Sequence, residues 1–351
     1  MASGDLDPPA PDAALSMEQD LDFWFADGSI VVIAEGVGFR VHMSLLSRHS
    51  PVFRDIFAII QPTQGKELGG GGSHQGVPVV HVTDSAHGMH CLLHAMYDSR
   101  RYLTDMVPKI PFAVLAALIR LGHKYEHSDV MDEAAKHLED YFTTDMDTWL
   151  KFCFKNRVPN FEFSAEKQAD LFECVNLARL TGKTAMLPAM LYACCQLGID
   201  DILAGGKRHS GVIERLSEQD VLLCVVGYTR LLRLSGKIVP AVVGATCAVQ
   251  CQSWEACSQR MQSLRTVSYK TAGILTINAL AGLEWPRRIH KFTVLNCWTG
   301  LCRACRDGLV QSYRTTQREI WDKLPSVFGF EKGELGEIWA ERYTVWHENL
   351  C

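Results

Sequence analysis

The chain of 351 residues has almost no excess charge of one sign: 35 basic residues stand against 40 acidic ones, for a formal net charge of −5. Neutralising a phosphate backbone takes clustered Lys and Arg. Here the basic residues gather only as pairs, such as Arg100-Arg101 and Arg287-Arg288, the ordinary pattern of a solvated face, and no nucleic-acid partner is expected. Long apolar runs are also missing. The most apolar later stretch, Val221 to Val249, is interrupted by Arg230, Arg233, Lys237 and Pro240, which is too polar for one bilayer-spanning helix, and no membrane partner is expected. The amino end, MASGDLDPPAPDAALSMEQD, lacks the basic and apolar regions of a secretory leader, and its acidic, Pro- and Ala-rich composition predicts a disordered tail over residues 1–20.

Catalytic signatures are absent too: there is no G-x-S-x-G nucleophile elbow, no H-E-x-x-H and no EF-hand loop. Gly182-Lys183-Thr184 ends like a phosphate-binding loop, but the position five before Gly182, where a glycine is required, is Leu177 inside a helical pattern. Gly182 reads instead as a helix end. No repeat of fixed period is found. Cysteine, by contrast, is plentiful at 13 residues. Without a leader these thiols are expected to be reduced or metal-binding inside a cell, in the cytoplasm or nucleus, rather than a disulfide framework.

Apolar β-rich runs at Phe23-Trp24-Phe25 and Ile30-Val31-Val32-Ile33 flank Asp27-Gly28, and Glu35-Gly36-Val37-Gly38 leads into Phe39-Arg40-Val41-His42. Turn residues between such runs predict strands joined by hairpins. Ser44-Leu45-Leu46 and Pro51 to Phe57 then have the spacing of short helices, with Ser50 as a cap and Pro51 at the first helical position. After the Gly69-Gly70-Gly71-Gly72-Ser73 run, read as a flexible insertion, Val79 to Val82 predicts a third strand. Asp84-Ser85 can cap a helix through Tyr97 with Met89, Leu92, Leu93 and Met96 on its apolar face. Helices are predicted over 111–126, 128–142, 165–180, 184–197 and 218–234, the last announced by the capping box Ser217-Glu218-Gln219-Asp220.

Phe39-Arg40-Val41-His42, Leu45-Leu46, Ser50-Pro51-Val52-Phe53 and Phe57 together resemble the F-x-x-H…L…S-x-x-F…F core of BTB/POZ domains. The match runs on in order through VVHVTDS, LLHAMYDSRRY and LAALIRLGHKYE over residues 21–145. DLFECVNLARLTGKTAMLPAMLYACC and WDKLPSVFGF are further similar to the large BTB set of mushroom-forming (basidiomycete) fungi. The resemblance implies an α+β chain: a BTB domain over 21–145, a helical cluster capped by a small sheet, then helical regions over 146–236 and 237–351. It implies homodimerisation and a fold-defining set of Asp27, Phe39, His42, Phe53 and Phe57. Phe23, Trp24, Phe25, Leu45 and Leu46 are the candidate interface residues, since three consecutive aromatics, by default core residues, cannot all face one core in a strand of period two and at least one is expected to meet a partner. The family's pocket usually carries a basic residue after the histidine; here that position is Met43.

His87, His90 and His94 share one predicted helix, but no carboxylate or thiol at a complementary spacing completes a ligand set, so they are expected to form a surface stripe. The carboxyl-terminal region holds seven cysteines: Cys247, Cys251, Cys257, Cys297, Cys302, Cys305 and Cys351. Cys302-x2-Cys305 is a good metal knuckle, and with Cys251 and Cys257 it makes the preferred candidate for a structural zinc, Cys247 and Cys297 being substitutes. The alternative is that these thiols only fill core space.

The expected function is a non-enzymatic adaptor with no catalytic residues, pairing with itself and recruiting another protein. The resemblance suggests a substrate adaptor for a cullin-based ubiquitin ligase, with transcriptional or chromatin regulation as the alternative. A thiol- or metal-dependent enzyme built on the carboxyl-terminal cysteines is the outsider. Cullin adaptors of the animal type carry an apolar residue two before a glutamate after the second helix; here the stretch reads Ile59-Ile60-Gln61, and the neutral amide is expected to weaken that contact.

Overall fold

The computed structural model of the chain describes residues 17–60, 73–98, 101–106, 109–154, 159–235, 246–271, 280, 300–331, 333–335 and 339. Residues 1–16 and 61–72, Cys297, Arg287-Arg288 and Cys351 lie outside the described residues. The first strand, β1 (Glu18–Trp24), begins inside the expected tail. It lies parallel to β3 (Val37–Val41), and β3 forms the expected hairpin with β2 (Ile30–Ala34), in register from Ile30↔Val41 to Ala34↔Val37. Glu35 and Gly36 close that hairpin at φ 49° and 84°, the left-handed backbone that a two-residue turn requires.

The expected hairpin between β1 and β2 does not form. The chain leaves β1, crosses the end of β3 through hydrogen bonds from Phe25 N to Arg40 O and from Ser29 N to Val41 O, and re-enters on the far side as β2. Arg40 makes this crossing possible by donating to the Gly28 and Ala26 carbonyls at 3.1 and 2.7 Å. Only glycine fits at 28, because a Cβ there would stand 2.9 Å from the Arg40 carbonyl.

Helices α1 (Met43–His49) and α2 (Pro51–Ile60) follow, and then β4 (Ser73–His74) and β5 (Val77–Val82) complete a sheet in the order β1-β3-β2-β5-β4. Helices α3 (Ala86–Asp98), α4 (Arg101–Met106), α5 (Phe112–Lys124) and α6 (Ser128–Tyr141) come next. The apolar stripe of α3 is buried as expected, with Met89, Leu92, Leu93 and Met96 packed with Val32, Phe39, Phe53 and Phe57 in one cluster. Polar joints hold sheet and helices together. Buried Ser50 Oγ accepts from Phe53 N at 3.1 Å, capping α2, and donates to the Tyr125 carbonyl at 2.6 Å, while the Tyr125 ring stacks on Phe53 at 4.2 Å. Tyr125 OH in turn donates to Asp84 at 2.5 Å, and Lys124 closes on the same carboxylate at 2.7 Å. Ser85, not Asp84, is the cap of α3, accepting from Gly88 N at 3.0 Å.

The chain divides into two compact units at Ala135/Lys136, within α6. The second unit is helical, with α7 (Met146–Phe154), α8 (Lys167–Leu180), a 3₁₀ turn at Thr184–Met186, α9 (Leu187–Cys195), α10 (Ile199–Ala204) and α11 (Glu218–Ser235), then helices Trp254–Thr271, Arg303–Asp322 and Leu324–Val327. Gly182, at φ 70°, ends α8 as expected. Two carboxylates on α8, Asp170 and Glu173, are 1% and 6% exposed and meet one guanidinium, Arg208, carried by the short hairpin Gly206–Lys207/Ile213–Glu214. The capping box also does a second job: Ser217 Oγ accepts from Asp220 N at 3.1 Å, and the buried Asp220 carboxylate takes Arg179 at 2.6 Å.

Ser50→Ala removes a helix cap and leaves the Tyr125 carbonyl without its buried donor, so the urea midpoint of the first unit should fall by the equivalent of about 1–3 kcal/mol. An unchanged midpoint would mean that the Ser50 joint contributes nothing.

Candidate metal centre

Four sulfurs converge in the second unit. Cys251 lies in the turn before helix Trp254–Thr271 and Cys257 in that helix's first turn; Cys302 is the N-cap of helix Arg303–Asp322 and Cys305 lies in its first turn. All four Sγ atoms lie within 4.8 Å of one another, and Cys251 and Cys302 are 3.7 Å apart. Tetrahedral zinc with Zn–S bonds of ~2.3 Å requires sulfurs about 3.8 Å apart, so the residues present fit that ion. A disulfide would require ~2.05 Å, and the four thiols are free.

The backbone around the sulfurs is arranged for thiolates. Cys302 N donates to Cys257 Sγ at 3.2 Å and Ala248 N to Cys305 Sγ at 3.3 Å. Two helix amino ends point their positive poles at the cluster, an environment that favours the anionic form. Hydrogen bonds from the Cys305 and Gln252 backbones lower the Cys302 thiol to about 6. Burial, with hydrogen bonds to neighbouring sulfurs, holds Cys305 above the usual range. At Cys257 the Cys302 N–H acts downward, but burial and the sulfurs of Cys251 and Cys302 outweigh it. Cys257 and Cys305 are almost wholly enclosed, so an ion seated there would have four thiolates and no open coordination position.

The substitute ligand Cys247 stays outside the cluster, its Sγ facing the Trp254 carbonyl at 3.9 Å. Four other cysteines follow the core-packing reading: Cys174, Cys194, Cys195 and Cys224 are buried, and burial raises the Cys174 and Cys194 thiols well above their ordinary value.

In the first unit, two of the residues expected at an interface are enclosed within that unit. Phe23 is 3% exposed, packed edge-on against His90 and His94, and Leu46 is fully buried. The reason is strand alternation: Phe23 and Phe25 turn to the Tyr97 side, while Trp24 packs on the opposite sheet face with Val31, Ile33 and Val79. Trp24, Phe25 and Leu45 remain half-buried. Phe39, Phe53 and Phe57 are core residues. His42 bridges sheet and helix: its N–H donates to Tyr97 OH at 3.0 Å, its Nδ1 pairs with the same hydroxyl at 2.8 Å, and its Nε2 lies 3.3 Å from Asp27. That hydrogen bond to His42 holds the Asp27 carboxyl below its ordinary value.

The histidine stripe is not only a surface. His90 and His94 meet Asp22 from β1, whereas His87 turns to Cys91 at 3.6 Å. Sequence spacing could not supply Asp22, because it arrives from another element.

No helix among the described residues is long and apolar enough to cross a membrane. Comparison with protein-family models, with curated proteins and with solved structures finds no match.

Cys305→Ser in the full chain should reduce zinc affinity by more than the roughly tenfold to hundredfold that outer-shell changes cost, while Cys247→Ser leaves it unchanged. Competition against a chromophoric chelator measures both. Equal losses in the two variants would contradict the ligand set.

Proposed function

We propose that the chain is a non-enzymatic interaction scaffold of the BTB/POZ kind, pairing with itself through its first unit and engaging another protein. The observation that carries this reading is the work done by the residues on which the resemblance rests. Phe39, Phe53 and Phe57 form the centre of the first core, Ser50 joins α2 to the end of α5, and His42 ties β3 to Tyr97 of α3. Each serves the joint between sheet and helices, the hydroxyls of Ser50 and Tyr97 included. The half-buried Trp24, Phe25 and Leu45 offer apolar surface for a second copy, and Leu21 on β1 is 98% exposed.

In the second unit we propose structural zinc on Cys251, Cys257, Cys302 and Cys305. Four thiolates close the coordination sphere, which favours a structural over a catalytic ion. For the partner we put a cullin first: Ile59, the apolar residue two before Gln61, is 83% exposed at the end of α2 and available to a partner groove.

The full chain should scatter light as a dimer, twice the 39.2 kDa of one chain. Gln61→Glu should tighten binding to the amino-terminal domain of a cullin by roughly tenfold to hundredfold, the worth of a charge-assisted contact. A monomer at micromolar concentration would sink the self-association. Absence of binding in both the natural chain and the Gln61→Glu variant would sink the cullin reading, and nanomolar binding by the natural chain that Gln61→Glu does not tighten would sink the reading of this loop.

A further inference from the structure

We infer that Asp22, His90 and His94 form a second metal site, taking one divalent transition-metal ion of the zinc class and clipping the edge strand β1 to α3. His90 and His94 are one helical turn apart on α3, and the Nε2 atoms of both face Asp22 Oδ2, at 3.1 and 3.9 Å. An ion with bonds of ~2.0–2.2 Å to nitrogen and oxygen in a tetrahedron requires donor atoms about 3.3–3.5 Å apart, between those two distances.

The surrounding groups orient the donors. His94 Nδ1 pairs with Asp98 Oδ2 at 2.7 Å, which leaves Nε2 as the lone-pair donor, the carboxylate–histidine–metal arrangement that fixes ligand tautomers. Asp20 Oδ1 accepts from Asp22 N and Phe23 N at 3.0 and 2.9 Å, holding the strand in its bend. Its Oδ2 stands 3.8 Å from His90 Nε2 as a further donor within reach. Phe23 packs its edge against both imidazoles and limits their rotation.

Charge points the same way. Asp20, Asp22 and Asp98 place three carboxylates around two imidazoles, an anionic surround that suits a divalent cation. The imidazoles are 30% and 23% exposed and Asp20 13%, while Asp22 is 63% exposed, so the site is open on the Asp22 side, where a cleft of about 390 Å³ bordered by Asp20, Asp22 and His90 leaves room for a further ligand on the ion. The nitrogen and oxygen donors set this site apart from the all-sulfur one.

Titration of the full chain with Co²⁺ and Zn²⁺ tests the proposal, because cobalt on sulfur shows thiolate charge-transfer bands and cobalt on imidazole and carboxylate does not. One equivalent without those bands is expected, and it should be lost in His94→Ala and in Asp22→Asn while the thiolate equivalent stays. In the unaltered chain Zn²⁺ should also shield His90 and His94 from diethyl pyrocarbonate, read by peptide mass spectrometry, with exposed His81 and His123 still modified. Binding confined to thiolates, or His90 and His94 modified equally with and without Zn²⁺, would overturn the proposal.

Discussion

Four sulfurs brought within 4.8 Å of one another from segments some fifty residues apart are the constraint on which the carboxyl part of this chain turns. They fix where two long helices begin, Trp254–Thr271 and Arg303–Asp322, and the free N–H groups near those beginnings point at sulfur. Helix starts normally take their caps from side-chain oxygens. Here Cys302 stands at the N-cap without such a side-chain bond, and its own N–H goes to the Cys257 sulfur. With its start fixed, helix Arg303–Asp322 places Gln317 against the Leu280 carbonyl at 3.1 Å and Trp321 Nε1 on the Thr144 carbonyl at 2.9 Å. Crowded thiols of this kind repel one another once ionised, and a divalent ion turns that repulsion into four bonds.

The first unit meets the same need by different means. Its joints are single polar side chains serving two elements: Ser50 for α2 and the end of α5, Asp84 for Lys124 and Tyr125, His42 for β3 and α3. A buried hydroxyl or carboxylate with all partners present stabilises modestly, while one deprived of a partner costs about 1–3 kcal/mol, so such joints specify the arrangement of sheet and helices more than they add to its stability.

Local chemistry was the legible part of the sequence. The turn at Glu35-Gly36, the cap at Ser50, the apolar face of α3 and the capping box at Ser217 are short-range patterns whose physics lies within a few residues, and the structure has each of them. The preferred set Cys251, Cys257, Cys302 and Cys305 was legible in part, from one regular knuckle and a second half of irregular spacing, and these are the sulfurs that meet. What spacing could not show depends on tertiary routing. β1 pairs with β3 because the chain crosses the end of β3 under Arg40, which also buries Phe23 and delivers Asp22 to His90 and His94. The division of units inside α6 is likewise invisible in a helix whose periodicity runs on unbroken.

The sulfur cluster is proposed as a closed metal site. X-ray absorption at the zinc edge of the full chain loaded with one equivalent tests it most directly. Zinc held by Cys251, Cys257, Cys302 and Cys305 should show a first shell of four sulfurs at ~2.3 Å with no light-atom neighbour. A shell led by nitrogen or oxygen, or with two sulfurs or fewer, would contradict it.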